Sequence, residues 1–125
     1  PLRFVGQRRI EPRVAPQLQM ALAPTTVHVA PGEMARWRVL LRSGFGGPVR
    51  VALSTAHPWE GPRLETTLEL GARGEAEIPM SLEVPPSAQG GIVSWDITCR
   101  YEPQEAEWLA GEFRRAIYFI LPKAP

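Results

Sequence analysis

The sequence is short of nearly every residue on which catalysis and metal binding depend. Cys99 is the only cysteine in 125 residues. That excludes an internal disulfide and any zinc site built from four cysteines. The two histidines, His28 and His57, stand outside any ligand-spaced cluster, so no metal and no cofactor is expected. Asp96 is the only aspartate. No nucleophile elbow or oxyanion loop accompanies it, which argues against a hydrolytic triad. Glu65, Glu69, Glu77 and Glu83 fall on the solvated positions of predicted strands rather than as a facing pair of the glycosidase kind. No catalytic residue and no enzyme are expected. Lys123 is the only lysine, and 14 basic residues against 13 acidic ones leave a net charge of +1. Nothing in that balance demands a polyanion. No apolar run approaches the roughly 18 residues of a membrane-spanning helix.

What the chain has in quantity is proline and glycine, 14 and 11 residues. In a chain with ordinary globular hydrophobicity they signal many turns and short strands rather than long helices. The second signal is period-two alternation, the mark of half-buried strands. Ala35, Trp37, Val39 and Leu41 alternate with Arg36, Arg38 and Arg42. Val49, Val51 and Leu53 alternate with Arg50 and Ser54. Leu64, Thr66, Leu68 and Leu70 share a face, as do Ala76, Ile78, Met80, Leu82 and Val84. Val93, Trp95, Ile97 and Cys99 form the inward set of the next strand, which places Trp37, Trp95 and Cys99 in the core. The run from Phe113 to Leu121 is apolar at nearly every position and reads as a long final strand. Turn chemistry separates these runs at 43–48, 57–62, 71–74, 85–91 and 101–107. The spacing predicts an all-β, immunoglobulin-like sandwich of about seven strands.

Two prolines carry topology. Pro24 interrupts a first strand that begins at Leu18 and resumes at Val27, so this strand is expected to divide between two sheets. Pro79 sits on the outward face of the fifth strand, and a residue that cannot donate to a ladder belongs on a sheet edge. That favours the fibronectin type III arrangement, with the first, second and fifth strands in one sheet and Leu64–Leu70 on the other. Residues 1–16, with Arg3, Arg8, Arg9 and Arg13 among three prolines, read as an extended arm or linker, and residues 17–125 as the domain.

The stretch from Val29 to Asp96 resembles bacterial immunoglobulin-like modules, of the kind appended to alpha-galactosidases, and related cell-adhesion-type domains. The likeness is carried by APGE at 30–33, by VRVALS at 49–54 followed by His57-Pro58-Trp59, and by the strand, glycine turn, strand and proline loop of 68–91. Such modules place an asparagine-glycine pair where this sequence has Ser43-Gly44. The resemblance implies a sandwich that links, spaces or docks, and it leans towards the cell envelope or the extracellular side. The lone cysteine leans towards a reducing compartment.

A non-catalytic structural or interaction module in a larger protein or assembly is therefore expected. Its candidate surfaces are the final strand, through Phe113, Tyr118 and Ile120, and the amino-terminal arm, through Arg8 and Arg9. A final strand with two apolar faces, taken as a sheet edge, invites a protein partner or a second copy. The alternative is a carbohydrate-binding sandwich that stacks sugars on Trp59, Trp108 and Tyr101. Folding of Trp59 back over the end of the sandwich competes with that role. Arg36, Arg38, Arg42 and Arg50 could line up as a stripe for nucleic acid, but the outward glutamates nearly balance them. A cross-strand arginine–glutamate lattice is the expected arrangement.

Overall fold

Each alternating run becomes a strand with its apolar set turned inward. The computed structural model describes residues 18–61 and 63–122. In order the strands are β1 (Leu18–Ala23), β2 (Thr26–His28), β3 (Met34–Ser43), β4 (Val49–Thr55), β5 (Glu65–Leu70), β6 (Glu75–Glu83), β7 (Gly91–Pro103) and β8 (Gly111–Leu121). A single 3-10 turn, Glu107–Leu109, joins β7 to β8. One sheet has the order β1-β3-β6 and the other β2-β8-β7-β4-β5. The β2–β8 pair is parallel, and every other pair is antiparallel. Counting β1 and β2 as one divided strand gives the seven of an immunoglobulin-like sandwich.

The divided strand follows from Pro24. β1 pairs with β3 as far as Ala23 opposite Arg38. The chain then turns through a cis Ala23–Pro24 peptide. It re-enters the other sheet with Thr26 opposite Tyr118. Pro79 lies in β6 opposite Arg38. Among the described residues β6 has no neighbour on its other side, so the missing N–H breaks no ladder. β5 pairs with β4 on the opposite sheet, as the edge argument requires.

The core lies between the sheets. Val39 from the smaller sheet and Val49, Val51, Ile97, Cys99, Ile117 and Phe119 from the larger are fully buried. Full burial of one such valine, isoleucine or phenylalanine is worth about 1.5–3 kcal/mol. One end is filled by aromatic rings. Phe119 meets Trp37 edge-on at 5.6 Å and Trp95 at 4.3 Å between ring centroids. Trp59 closes over them, 5.3 Å from Trp95 and 5.9 Å from Phe119. The other end is filled by Tyr101, 6.1 Å from Phe45 and 6.0 Å from Phe113.

Two expectations are corrected. The turn read at 101–107 is partly strand. β7 runs on to Pro103 because Val51 and Val49 pair with Tyr101 and Pro103. The final strand is not an open edge along its apolar half, since β2 pairs with Tyr118, Phe119 and Ile120. Two further bonds, Val29 N–H to Ile120 O at 3.1 Å and Tyr118 N–H to Thr25 O at 2.9 Å, extend that cover. The arm, with Arg8 and Arg9, lies outside the described residues.

Candidate interaction surface

The outward positions of the larger sheet form two regions of different chemistry. At the end where β4 and β7 meet β5 and the start of β8, charges pair across strands. Arg50 lies 3.7 Å from Glu102, and Glu112 lies 3.2 Å from Arg100 and 3.7 Å from Arg114. The smaller sheet carries the same device, with Arg38–Glu77 at 2.6 Å and Arg42–Glu75 at 3.2 Å. These exposed pairs contribute little stability, about 0.2–1 kcal/mol each. Their effect is on recognition: the arginines that could have formed a stripe for nucleic acid are neutralised by neighbours. Arg36 is the exception in that stripe and stands opposite Ser81.

The other region is apolar. Ile92 stands opposite Ile120, and Ser94 opposite Tyr118. His28 and Thr26 of β2 continue those two rows. Ile92 is 72% exposed and Tyr118 44% exposed, while Ile120 is half-buried. Asp96, opposite Ala116, is the nearest charge along β7. An isoleucine so exposed, beside a tyrosine and a second isoleucine on the outer face of a sheet, is a surface that association would remove from water. The sequence points to Tyr118 and Ile120. It does not point to Ile92, because Gly90-Gly91 before it reads as loop and the strand alternation begins at Val93.

The other candidates lie elsewhere. Phe113 occupies an inward position, half-buried, with the Arg115 guanidinium carbon 5.2 Å from its ring centroid. Tyr101 is also inward and half-buried, and Gly111 gives its ring room: a Cβ there would stand 2.7 Å from the phenol oxygen. Trp59 is committed to the core rings described above. Trp108 is 81% exposed on the turn between β7 and β8. Trp59 packs on Trp95, whereas Trp108 follows Pro103. From Trp95 to Pro103 β7 advances eight residues, about 26 Å at about 3.3 Å per residue. Trp59, Tyr101 and Trp108 are thus not brought together into one stacking platform.

Among the described residues no group of three or more His, Cys, Asp or Glu is placed to hold a metal ion. No helix among them is long and apolar enough to cross a membrane. Cys99 is fully buried, and burial pushes its thiol from an ordinary value of 9.0 up to about 12. Its folded state therefore holds the proton more tightly than the unfolded state. The stability this provides is complete below about pH 9 and is lost as the pH rises from 9 towards 12. Between pH 8 and 10.5 the protein should lose about 2 kcal/mol more than a Cys99→Ala variant, at about 1.4 kcal/mol per pH unit. Denaturant unfolding of both at the two pH values checks this, and equal losses would refute it. In the native protein near pH 8 the thiol should also resist alkylation until the chain unfolds.

No protein-family model matches the chain, and no curated protein matches its sequence. Similar solved structures do exist. The ASH/PapD-like domain 7 of human CEP192 superposes with a TM-score of 0.64 at 13% identity, over 93% of this chain and 94% of that one. A family 123 glycoside hydrolase from Clostridium perfringens gives a TM-score of 0.57 at 11% identity. That match takes in 86% of this chain but only 28% of the hydrolase. At such identities the likeness establishes the fold alone, and with the two sheets and their order it places the chain among immunoglobulin-like β-sandwiches.

Proposed function

We propose that this domain is a non-catalytic protein-interaction module that docks through the outer face of β7 and β8. The observation that carries the reading is the exposed row of Ile92, Ile120 and Tyr118, free of charge until Asp96. The partner offers an apolar surface rather than an added strand, because β2 already occupies the backbone edge beside Tyr118. The resemblance to bacterial immunoglobulin-like modules supports a linking or docking role inside a larger protein or assembly. The PapD-like neighbour supports the same class of role.

The test is affinity capture from the source cells with four forms of the chain: unaltered, Ile92→Arg, Tyr118→Arg and Arg36→Ala. Arg36 lies on the other sheet and serves as the control. A partner should be retained by the unaltered chain and by Arg36→Ala, and its recovery should fall at least tenfold with either arginine variant, since an uncompensated charge in an apolar interface centre costs more than about 1.4 kcal/mol. Equal recovery by all four forms would overturn the assignment of the face. Parallel binding to a polysaccharide panel, abolished by Trp108→Ala, would replace the reading with a carbohydrate one.

A further inference from the structure

The opposite end of the sandwich carries a knob and a cleft. The knob is the turn Glu107–Leu109, where Trp108 is 81% and Leu109 44% exposed. The turn is fixed by backbone bonds. Leu109 N–H donates to Ala106 O at 2.8 Å, Ala110 N–H to Glu107 O at 3.0 Å, and Gln104 N–H to Pro48 O at 2.9 Å. The Gln104 side chain also donates to Glu69. An indole and a leucine held out in this way lose little freedom on binding, which suits them to anchor an interface. Glu105 and Glu107 flank them, and among the described residues neither makes an ion pair.

The cleft is open to solvent and has a volume of about 790 Å³. It is bordered by β1, β3 and β6, with Ala21 and the half-buried Leu40 as its outward apolar side chains, while the neighbouring Leu18, Met20 and Leu41 are buried in the core. Its rim carries Arg115. Arg42, Glu75 and Glu77 are also at the cleft, but each is already paired within the smaller sheet. Arg115 has no carboxylate partner among the described residues. It occupies an inward position of β8, rests over Phe113 and donates to Arg114 O at 3.1 Å.

We propose that two copies of this chain pair by reciprocal insertion of the Trp108–Leu109 turn into the cleft bordered by β1, β3 and β6. Charge complementarity selects this occupant. Glu105 and Glu107 beside the knob meet Arg115 at the cleft, groups that form no ion pairs among the described residues, while the apolar pair packs on Ala21 and Leu40. Knob and cleft lie at the same end of the fold, as the contact of Phe45, just after β3, with Tyr101, near the end of β7, shows. One two-fold axis can therefore satisfy both contacts and close the pair. This surface is separate from the Ile92–Tyr118 face, and neither reading depends on the other.

Sedimentation velocity of the whole chain over a concentration series tests the pairing. The unaltered chain should convert from monomer to dimer. Trp108→Ala should weaken the dimer at least tenfold without changing thermal stability, because the indole is exposed in the monomer. Glu107→Arg should weaken it as well, and adding Arg115→Glu to that variant should restore it. Ile92→Arg should leave it unchanged. A chain that remains monomeric at every concentration would overturn the proposal. So would a dimer that survives Trp108→Ala, or one lost with Ile92→Arg alone.

Discussion

Replacing Phe119 by alanine should lower the free energy of unfolding by about 3–5 kcal/mol, the range for deleting a buried phenylalanine from a core. The upper part of that range applies here because of where the ring sits. It is fully buried on β8, touches Trp37 on β3 of the facing sheet, and contacts both Trp95 and Trp59. Four rings share one end of the core, and three of them lose their common neighbour at once. Large aromatic frames relax poorly into a void, so most of the cavity persists and its cost adds to the lost transfer energy. Against the 5–15 kcal/mol typical of a whole domain, this is a large fraction. Phe113→Ala makes the contrast: its half-buried ring is shared with Arg115, and its loss should be clearly smaller. Urea unfolding followed by tryptophan fluorescence measures both. A Phe119→Ala loss below about 1 kcal/mol would mean that the aromatic end is not packed as described.

How much could be read before the structure depended on whether a signal was local. The core was legible because alternation is local: each side chain set at 35–41, 49–53 and 93–99 follows from the two-residue repeat. The division of the first strand and the edge position of β6 were legible because Pro24 and Pro79 have few tolerable places in a sheet. Residues that depend on distant partners were harder. Trp59 in a proline loop looked like either a ligand platform or a cap. Only the closeness of Trp95 and Phe119, far along the chain, decides that its ring packs into the core. The final strand looked like an open edge because the three residues of β2 are too few to register as a partner, and parallel pairing to β8 leaves no hairpin signal. Ile92 escaped because Gly90-Gly91 before it reads as loop, and only the register of β7 on β8 sets it beside Ile120 on the outer side of the sheet. The charge lattice was expected in kind, but its pairs depend on register too: Arg50 meets Glu102 on β7 and not a residue of its own hairpin.

Placing a carboxylate at the centre of β2, with Val27→Asp, should cost about as much as β2 itself contributes, and should do so by releasing that strand rather than by unfolding the domain. Val27 is buried opposite Phe119. An isolated buried carboxyl has its pKa raised by up to about 3–5 units, which at pH 7 costs about 4 kcal/mol, since only the roughly three units between the unfolded pKa and pH 7 count at about 1.4 kcal/mol each. In this variant detaching β2 gives up only the burial of Val29 and a few backbone bonds, about 1.5–3 kcal/mol from burial. The cheaper route prevails, so the strand leaves and the carboxylate ionises in water. Two consequences can be measured. The amides of Tyr118 and Val29, bonded to Thr25 and Ile120, should lose hydrogen-exchange protection while those of β3 and β7 keep theirs. The uncovered edge of β8 beside Ile117, Phe119 and Leu121 should then pair with other copies, so light scattering should rise with concentration. The sign with pH follows from the carboxyl: the docked form of the variant has the higher pKa, so lowering the pH from 7 towards 4 should bring β2 back and reverse the association. Val27→Ala, which adds no charge, should keep the strand in place. Unchanged protection at Tyr118 and Val29 together with a monomeric Val27→Asp protein would show that β2 does not guard the final strand.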